Sequence, residues 1–249
     1  MENVILKKIK YSNLTEKEKI ALAKVISDEI IFQHENIYDK RKVKIDNLFL
    51  KELIENELFI LMNIYFQDSV RLIDFEGFSF DGLNIAGKDF SYTNANIDPQ
   101  KIHGKSLYYT DLEGIDLRDK NFEGVFIEGA NLIDTKAEID PQTIAEKSLY
   151  DTKLKGIRLR KKSFKDVDIR KSDLRNTGAK IIISELKENN KNEHPLYKTK
   201  ISNCKVYKGT RDSLLDNLYI ASCTLRGNIT NPNREKVLEL KRELQKQIK

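Results

Sequence analysis

Residue types that build cross-linked or metal-bound proteins are scarce in this chain of 249 residues. It contains two cysteines, Cys204 and Cys223, and three histidines. Two cysteines are too few for a disulfide framework or a zinc site, and they fit a reducing compartment. The composition, with 33% charged and 39% hydrophobic residues, is ordinary for a globular chain of one or two domains.

Long apolar runs and targeting signals are also missing. No run approaches the roughly 18 residues that a membrane helix needs, and the first residues lack the basic start and cleavage site of a signal peptide. We therefore expect a cytoplasmic protein that does not enter a membrane.

Motifs that carry catalysis are absent as well. The sequence has no glycine-rich phosphate loop, no nucleophile elbow and no metal-spaced cluster of cysteine and histidine. Most carboxylates occupy a position where bonding to a turn explains them. We expect a non-enzymatic protein with no catalytic, cofactor-binding or metal-binding residues.

Between about Leu72 and Val206, large apolar residues return every fifth position. The chain also aligns with itself at an offset of 42, where Ile97-Asp-Pro-Gln matches Ile139-Asp-Pro-Gln and Lys105-Ser-Leu-Tyr matches Lys147-Ser-Leu-Tyr. A period of five fits neither a helix at 3.6 nor a strand at 2, so the chain must turn a corner every five residues. Four corners make a coil of about 20 residues that stacks on the next at about 4.8 Å.

This stacking places residues about 21 apart above one another. One predicted column contains Phe80, Ile102, Phe122, Ile144, Phe164, Leu186 and Val206, and a second contains Ile85, Leu107, Ile127, Leu149 and Ile169. Both columns are apolar throughout, so we expect these side chains to fill the interior. Lys88, Lys120 and Lys162 occupy an inward position, and we expect them to bend out to water because an unpaired buried ammonium is costly.

The units Ala130-Asn-Leu132, Thr93-Asn-Ala95 and Ser172-Asp-Leu174 resemble the A(D/N)LXX unit of pentapeptide-repeat proteins. This resemblance implies a bacterial-type protein with a mainly β fold, a right-handed quadrilateral β-helix solenoid. It carries over no catalytic residues. Some members of that family resemble duplex DNA in shape and charge, and protect DNA gyrase from quinolones.

The flanking segments read as helical. Thr15 and Glu18 have the spacing of a capping box, Asp46 can cap a second helix, and helix and strand readings compete from Phe59 to Phe66. We expect residues 1–70 to form a helical cap or a small helical domain, residues 71–230 a β-helix of 42-residue double-coil repeats, and residues 231–249 an amphipathic helix. That last helix either covers the final coil or forms a homodimer contact.

Charge is divided unevenly along the chain. Residues 1–135 have a net charge of −7 and residues 136–249 a net charge of +12. We predict a partner-binding basic surface in the second part, with no aromatic residues interleaved among its charges. It consists of Lys153, Lys155, Arg158, Arg160, Lys165, Arg170 and Lys171.

The function that these observations favour is a non-enzymatic scaffold that binds a protein partner with the faces of a rigid β-helix. A first alternative is a DNA mimic that protects a gyrase-type topoisomerase, although the overall charge of +5 disfavours mimicry. A second alternative is direct nucleic-acid binding by the basic half, driven by backbone phosphates.

Overall fold

The computed structural model describes residues 13–36, 42–187, 195–201, 203–207 and 224–225. Four α-helices come first in the chain: α1 (Glu16–Asn36), α2 (Asn47–Glu55), α3 (Glu57–Tyr65) and α4 (Gln67–Arg71). None of the helices in these ranges is long and apolar enough to cross a membrane.

The predicted helix starts are confirmed by their hydrogen bonds. The Thr15 hydroxyl accepts from the Glu18 amide at 3.4 Å, and the Glu18 carboxylate accepts from the Thr15 amide at 2.7 Å, which makes a capping box. The Asp46 carboxylate accepts from the amides of Leu48 and Phe49, both at 3.1 Å. The competing readings from Phe59 to Phe66 resolve as helix, since α3 extends to Tyr65.

These helices pack against the beginning of the five-residue repeat. The Phe59 and Phe90 rings lie 5.0 Å apart, and the Asn63 side-chain amide donates to the Asp89 carbonyl at 2.8 Å. A short strand pair, β1 (Val43–Lys44) with β2 (Ile73–Asp74), adds a parallel backbone contact. Buried side chains of the helices and of the repeat therefore belong to one continuous hydrophobic core.

The predicted five-residue spacing of buried side chains is confirmed. Every residue of the two predicted columns is buried, from Phe80 at 2% exposure to Val206 at 7%. The offset of about 21 residues is confirmed by backbone bonds: the Leu107 amide donates to the Phe126 carbonyl, and the Leu149 amide to the Asp168 carbonyl, both at 2.8 Å. We call each stretch of about 20 residues that returns alongside the preceding one a layer.

The prediction of a mainly β, right-handed quadrilateral β-helix solenoid is wrong. The remaining strands are β3 (Lys180–Ile182), β4 (Lys200–Ile201), β5 (Lys205–Tyr207) and β6 (Thr224–Leu225). In the described ranges the six strands form three separate two-stranded parallel sheets, with no closed or continuous sheet. Helix α1, with 21 residues, is longer than all six strands together. The β-helix and solenoid implied by the family resemblance are therefore wrong as well.

The turns explain why extended strands do not form. Within each group of five, one residue has a positive φ, for example Tyr109 at 53°, Asp119 at 60° and Gly124 at 68°. Such a residue interrupts the extended backbone, so neighbouring layers meet in isolated bridges such as Asp111 with Asn131. The five-residue period therefore gives turns joined by single bridges.

The repeated Ile-Asp-Pro-Gln segments form turns and not the short helices that their capping pattern predicts. Asp98 accepts from the Gln100 amide and Asp140 from the Gln142 amide, both at 3.0 Å. Each glutamine side chain then donates to two carbonyls of the next layer; for Gln142 these belong to Ser163 and Lys165. The motif therefore ties adjacent layers together.

The three inward lysines behave differently from one another. Lys120 donates to the Asn96 side chain at 2.8 Å and Lys162 to Asp140 at 3.2 Å, and both are half-exposed as predicted. Lys88 contradicts the prediction because it is 6% exposed, and its ammonium donates to the Asn84 carbonyl at 2.9 Å. That carbonyl supplies the hydrogen bond that bending out to water would otherwise provide. Burial lowers the pKa of Lys88.

Replacing Lys88 with methionine is expected to stabilise the protein at pH 7, by about 1 kcal/mol or more. Because the folded-state pKa of Lys88 lies below its unfolded value, the unfolded chain binds the proton more strongly, and wild-type stability rises with pH between the two values. The advantage of Lys88→Met should therefore shrink as the pH approaches 10. Urea unfolding at pH 7, 8.5 and 10 measures this, with Lys165→Met as an exposed control. A destabilised Lys88→Met protein would contradict the prediction.

The predicted amphipathic helix at 231–249, Cys223 and the polar segment at 188–193 lie outside the described residues.

Candidate interaction surface

The seven basic residues predicted as one surface lie around the perimeter of a layer. The Asp151 amide donates to the Arg170 carbonyl at 3.0 Å, so the chain completes one layer between these two residues. Lys153 is bridged to Asn131 and Asp173, Arg160 lies over Gly178, and the Lys165 carbonyl accepts from Gln142. The tertiary structure therefore distributes the predicted cations over different sides, and Arg158 lies between Lys155 and Arg160 on that path.

Arg170 and Lys171 are brought together with an aromatic residue that sequence reasoning missed. The Arg170 guanidinium lies 5.3 Å, and the Lys171 ammonium 4.6 Å, from the centre of the Tyr150 ring. These distances are typical of cation–π contacts. The expectation that no aromatic residue interleaves with the basic set is wrong, because Tyr150 is 20 residues away in sequence but one layer away in space. The 20-residue layer was the signal that could have found it.

A second aromatic cluster is exposed, and we call it the aromatic patch: Tyr108, Tyr109 and Phe126. The Tyr108 and Tyr109 rings meet edge to face with their centres 4.5 Å apart. Phe126 lies on the next layer, where its backbone is bridged to Ser106. Their exposures are 45%, 46% and 40%, which is high for large side chains. Sequence reasoning missed this patch because it followed only the inward positions.

Many surface charges of the layers are neutralised by a partner two residues away. Asp116 pairs with Arg118, Asp168 with Arg170, and Asp173 with Arg175. Hydrogen bonds from Arg118 lower the pKa of Asp116 to about 2. In each pair the two side chains flank one buried residue, so alternate positions of the same layer bring opposite charges together.

One side of the molecule departs from this pairing, and we call it the charged face: Asp111, Glu113, Asn131, Ile133, Lys153 and Lys155. Bridges join Asp111 to Asn131 and Asn131 to Lys153, which places these residues on three successive layers. On each layer two outer residues flank a buried leucine, which is Leu112, Leu132 or Leu154. The first layer therefore presents two carboxylates and the third presents two ammonium groups.

Hydrogen bonds keep the carboxylates of the charged face ionised and in place. Asn131 donates to Asp111 at 3.0 Å and to Glu113 at 2.9 Å. The Tyr92 hydroxyl also donates to Glu113, and this bond is the main cause of the lowered pKa of Glu113. Within the described ranges no carboxylate lies at salt-bridge distance from Lys153 or Lys155.

The remaining reactive side chains do not assemble into a site. Residues 13–36, 42–187 and the shorter described segments contain no group of three or more metal-ligating side chains. His103 is exposed on a short turn, as expected for a surface histidine. The Cys204 thiol is half-buried and contacts the Leu174 carbonyl at 3.1 Å and the Thr177 hydroxyl at 3.3 Å.

Comparisons with known proteins return no match for this chain among family models, curated proteins or solved structures. They do not test the resemblance to pentapeptide-repeat proteins.

Proposed function

We propose that this chain is a non-enzymatic interaction scaffold of the cytoplasm that binds a protein partner through the aromatic patch. The observation that carries the proposal is the exposure of three neighbouring large side chains, Tyr108, Tyr109 and Phe126. Tyrosine and phenylalanine are enriched in protein interfaces, and tyrosine is prominent among the residues that dominate binding energy.

The positioning of the patch supports the same function. Phe126 and the two tyrosines flank Leu107 and Ile127, which are buried, so the exposed rings stand on a packed layer. The Leu107 amide is bonded to the Phe126 carbonyl at 2.8 Å and the Tyr109 amide to the Glu128 carbonyl at 2.9 Å. Side chains held by such a backbone lose little entropy on binding, which favours affinity.

The arrangement also supplies polar groups at the rim. Glu128 follows the patch and accepts from the Ser148 hydroxyl, while Tyr150 with Arg170 and Lys171 lies on the following layers. An apolar centre with a polar rim is the usual anatomy of a protein interface. A partner would therefore contact the rings first and the charged groups at the edge.

A double substitution, Tyr108→Ser with Phe126→Ser, is expected to reduce partner capture at least tenfold. Both rings are exposed, so the melting temperature should change little. Photocrosslinking from position 128, followed by mass spectrometry, identifies the partner, and titration of the purified partner measures the loss of affinity. The matched control is Tyr65→Ser, an exposed tyrosine on α3 at 56% exposure. Equal affinity of the double variant and the wild type would overturn the proposal.

The topoisomerase alternative is separated by a functional assay. A protector of gyrase would preserve supercoiling activity in the presence of a quinolone, whereas the proposed scaffold would leave quinolone inhibition unchanged. The overall charge of +5 favours the second outcome because a DNA mimic must present negative charge.

A further inference from the structure

The charged face is self-complementary across its central layer. Asp111 and Glu113 lie one layer to one side of Asn131 and Ile133, and Lys153 and Lys155 lie one layer to the other side. Successive layers are separated by about 4.8 Å. The two charged rows are therefore equidistant from the central row and have the same width.

This inversion occurs between equivalent positions of the repeat. Asp111-Leu-Glu113 and Lys153-Leu-Lys155 are 42 residues apart, so their outer side chains have the same place on the layer. The neighbouring layer carries Asp173 and Arg175, which neutralise each other as a salt bridge. The two rows of like charge are thus an exception to the local pairing of opposite charges.

We propose that the charged face binds a second copy of this chain in an antiparallel dimer. A two-fold axis in the interface, along the row of Asn131 and Ile133, would bring Asp111 opposite the second copy's lysine 153 and Glu113 opposite its lysine 155. Both contacts occur twice, and Ile133 meets its own copy at the axis. Such a self-complementary contact closes on itself and ends at two subunits.

The charges select this orientation more than they supply affinity. Exposed ion pairs contribute at most about 1 kcal/mol each, and the lysines of the face are exposed. A parallel arrangement would place carboxylates against carboxylates and ammonium groups against ammonium groups, which is unfavourable. The dimer is therefore weak, salt-sensitive and specific in orientation.

This contact does not involve the aromatic patch, so the dimer and the proposed scaffold function can fail separately. Tyr108→Ser with Phe126→Ser should leave self-association unchanged, while charge reversals on the face should leave the apolar contacts of the patch in place. A monomeric wild type that still captures a partner would overturn the dimer alone.

Charge exchange between copies tests the geometry. Glu113→Lys and Lys155→Glu should each weaken self-association of the full chain at least tenfold, because each creates two like-charge contacts. An equimolar mixture of the two variants should associate again, and the chain carrying both substitutions should self-associate like the wild type. Sedimentation equilibrium at up to about 1 mM protein, near the limit of a weak complex, measures each constant at low and high salt.

Lys165→Glu is the matched control, since Lys165 is exposed and outside the face. Thermal melts verify that every variant is folded. A monomeric wild type, single reversals that associate like the wild type, or failure of both the mixture and the double substitution to restore association would each overturn the antiparallel dimer. Recovery in the mixture and in the double variant is the result expected.

Discussion

Phe122→Ala is expected to destabilise the layered region by about 3–5 kcal/mol. The Phe122 ring is 3% exposed and belongs to a column of buried side chains from successive layers, so its removal leaves a cavity that the turns cannot easily fill. For a chain of this size, such a loss corresponds to a fall in melting temperature of about 6–20 °C.

Leu132→Arg tests the same interior with a charge and should prevent folding of the layers around it. Leu132 is fully buried, and its amide donates to the Lys153 carbonyl at 2.9 Å, so the side chain cannot turn outward without breaking the contact between layers. A guanidinium enclosed there would have no partner and would pay most of its desolvation cost.

Circular dichroism melts of both variants measure the effect. The controls are Lys165→Ala for the loss of side-chain volume and Glu138→Arg for the added charge, because both residues are exposed. A Phe122→Ala protein that melts like the wild type would show that the inward register is misassigned.

Gly129→Val is expected to be the second most damaging change. Gly129 has a φ of +70°, which a β-branched residue rarely adopts, and a Cβ atom there would lie inside contact distance of the Tyr109 ring. Backbone strain of this kind costs about 1–3 kcal/mol, and displacement of the ring adds to it.

Gly124→Val separates the two contributions. Gly124 has a nearly equal φ of +68°, but nothing lies within 4 Å of its Cβ position, so this variant should show the backbone strain alone. Adding Tyr109→Ala to Gly129→Val should remove the excess over Gly124→Val in urea unfolding. If the two glycine variants are equally stable, the Tyr109 ring does not pack on Gly129.

The burial pattern was predictable because it is local. A large apolar residue every fifth position indicates which side chains point inward, and Phe122 and Leu132 follow that rule. The helix caps at Thr15 and Asp46 were predictable for the same reason, since a cap depends on residues within three positions. The predicted basic set also contains Lys153 and Lys155, although sequence reasoning did not connect them with Asp111 and Glu113.

The secondary structure of the layers could not be predicted from the same spacing. Five residues per turn is compatible with continuous strands or with turns joined by isolated bridges, and the positive φ of residues such as Tyr109 and Asp119 decides for the second. The fate of Lys88 was also missed, because its ammonium reaches the Asn84 carbonyl within the same turn. The sequence pattern shows where a side chain starts, but not where its polar end finds a partner.

The sequence by itself determined which residues are buried, where the N-terminal helices begin and how charge divides along the chain. Only the tertiary structure decided which surface residues become neighbours, such as Tyr150 with Arg170 or the carboxylate and lysine rows of the charged face. The physical reason is that inward and outward positions follow from spacing within one turn. Contacts between layers depend instead on how many residues each layer uses before the backbone returns, and this number varies from layer to layer with the turns.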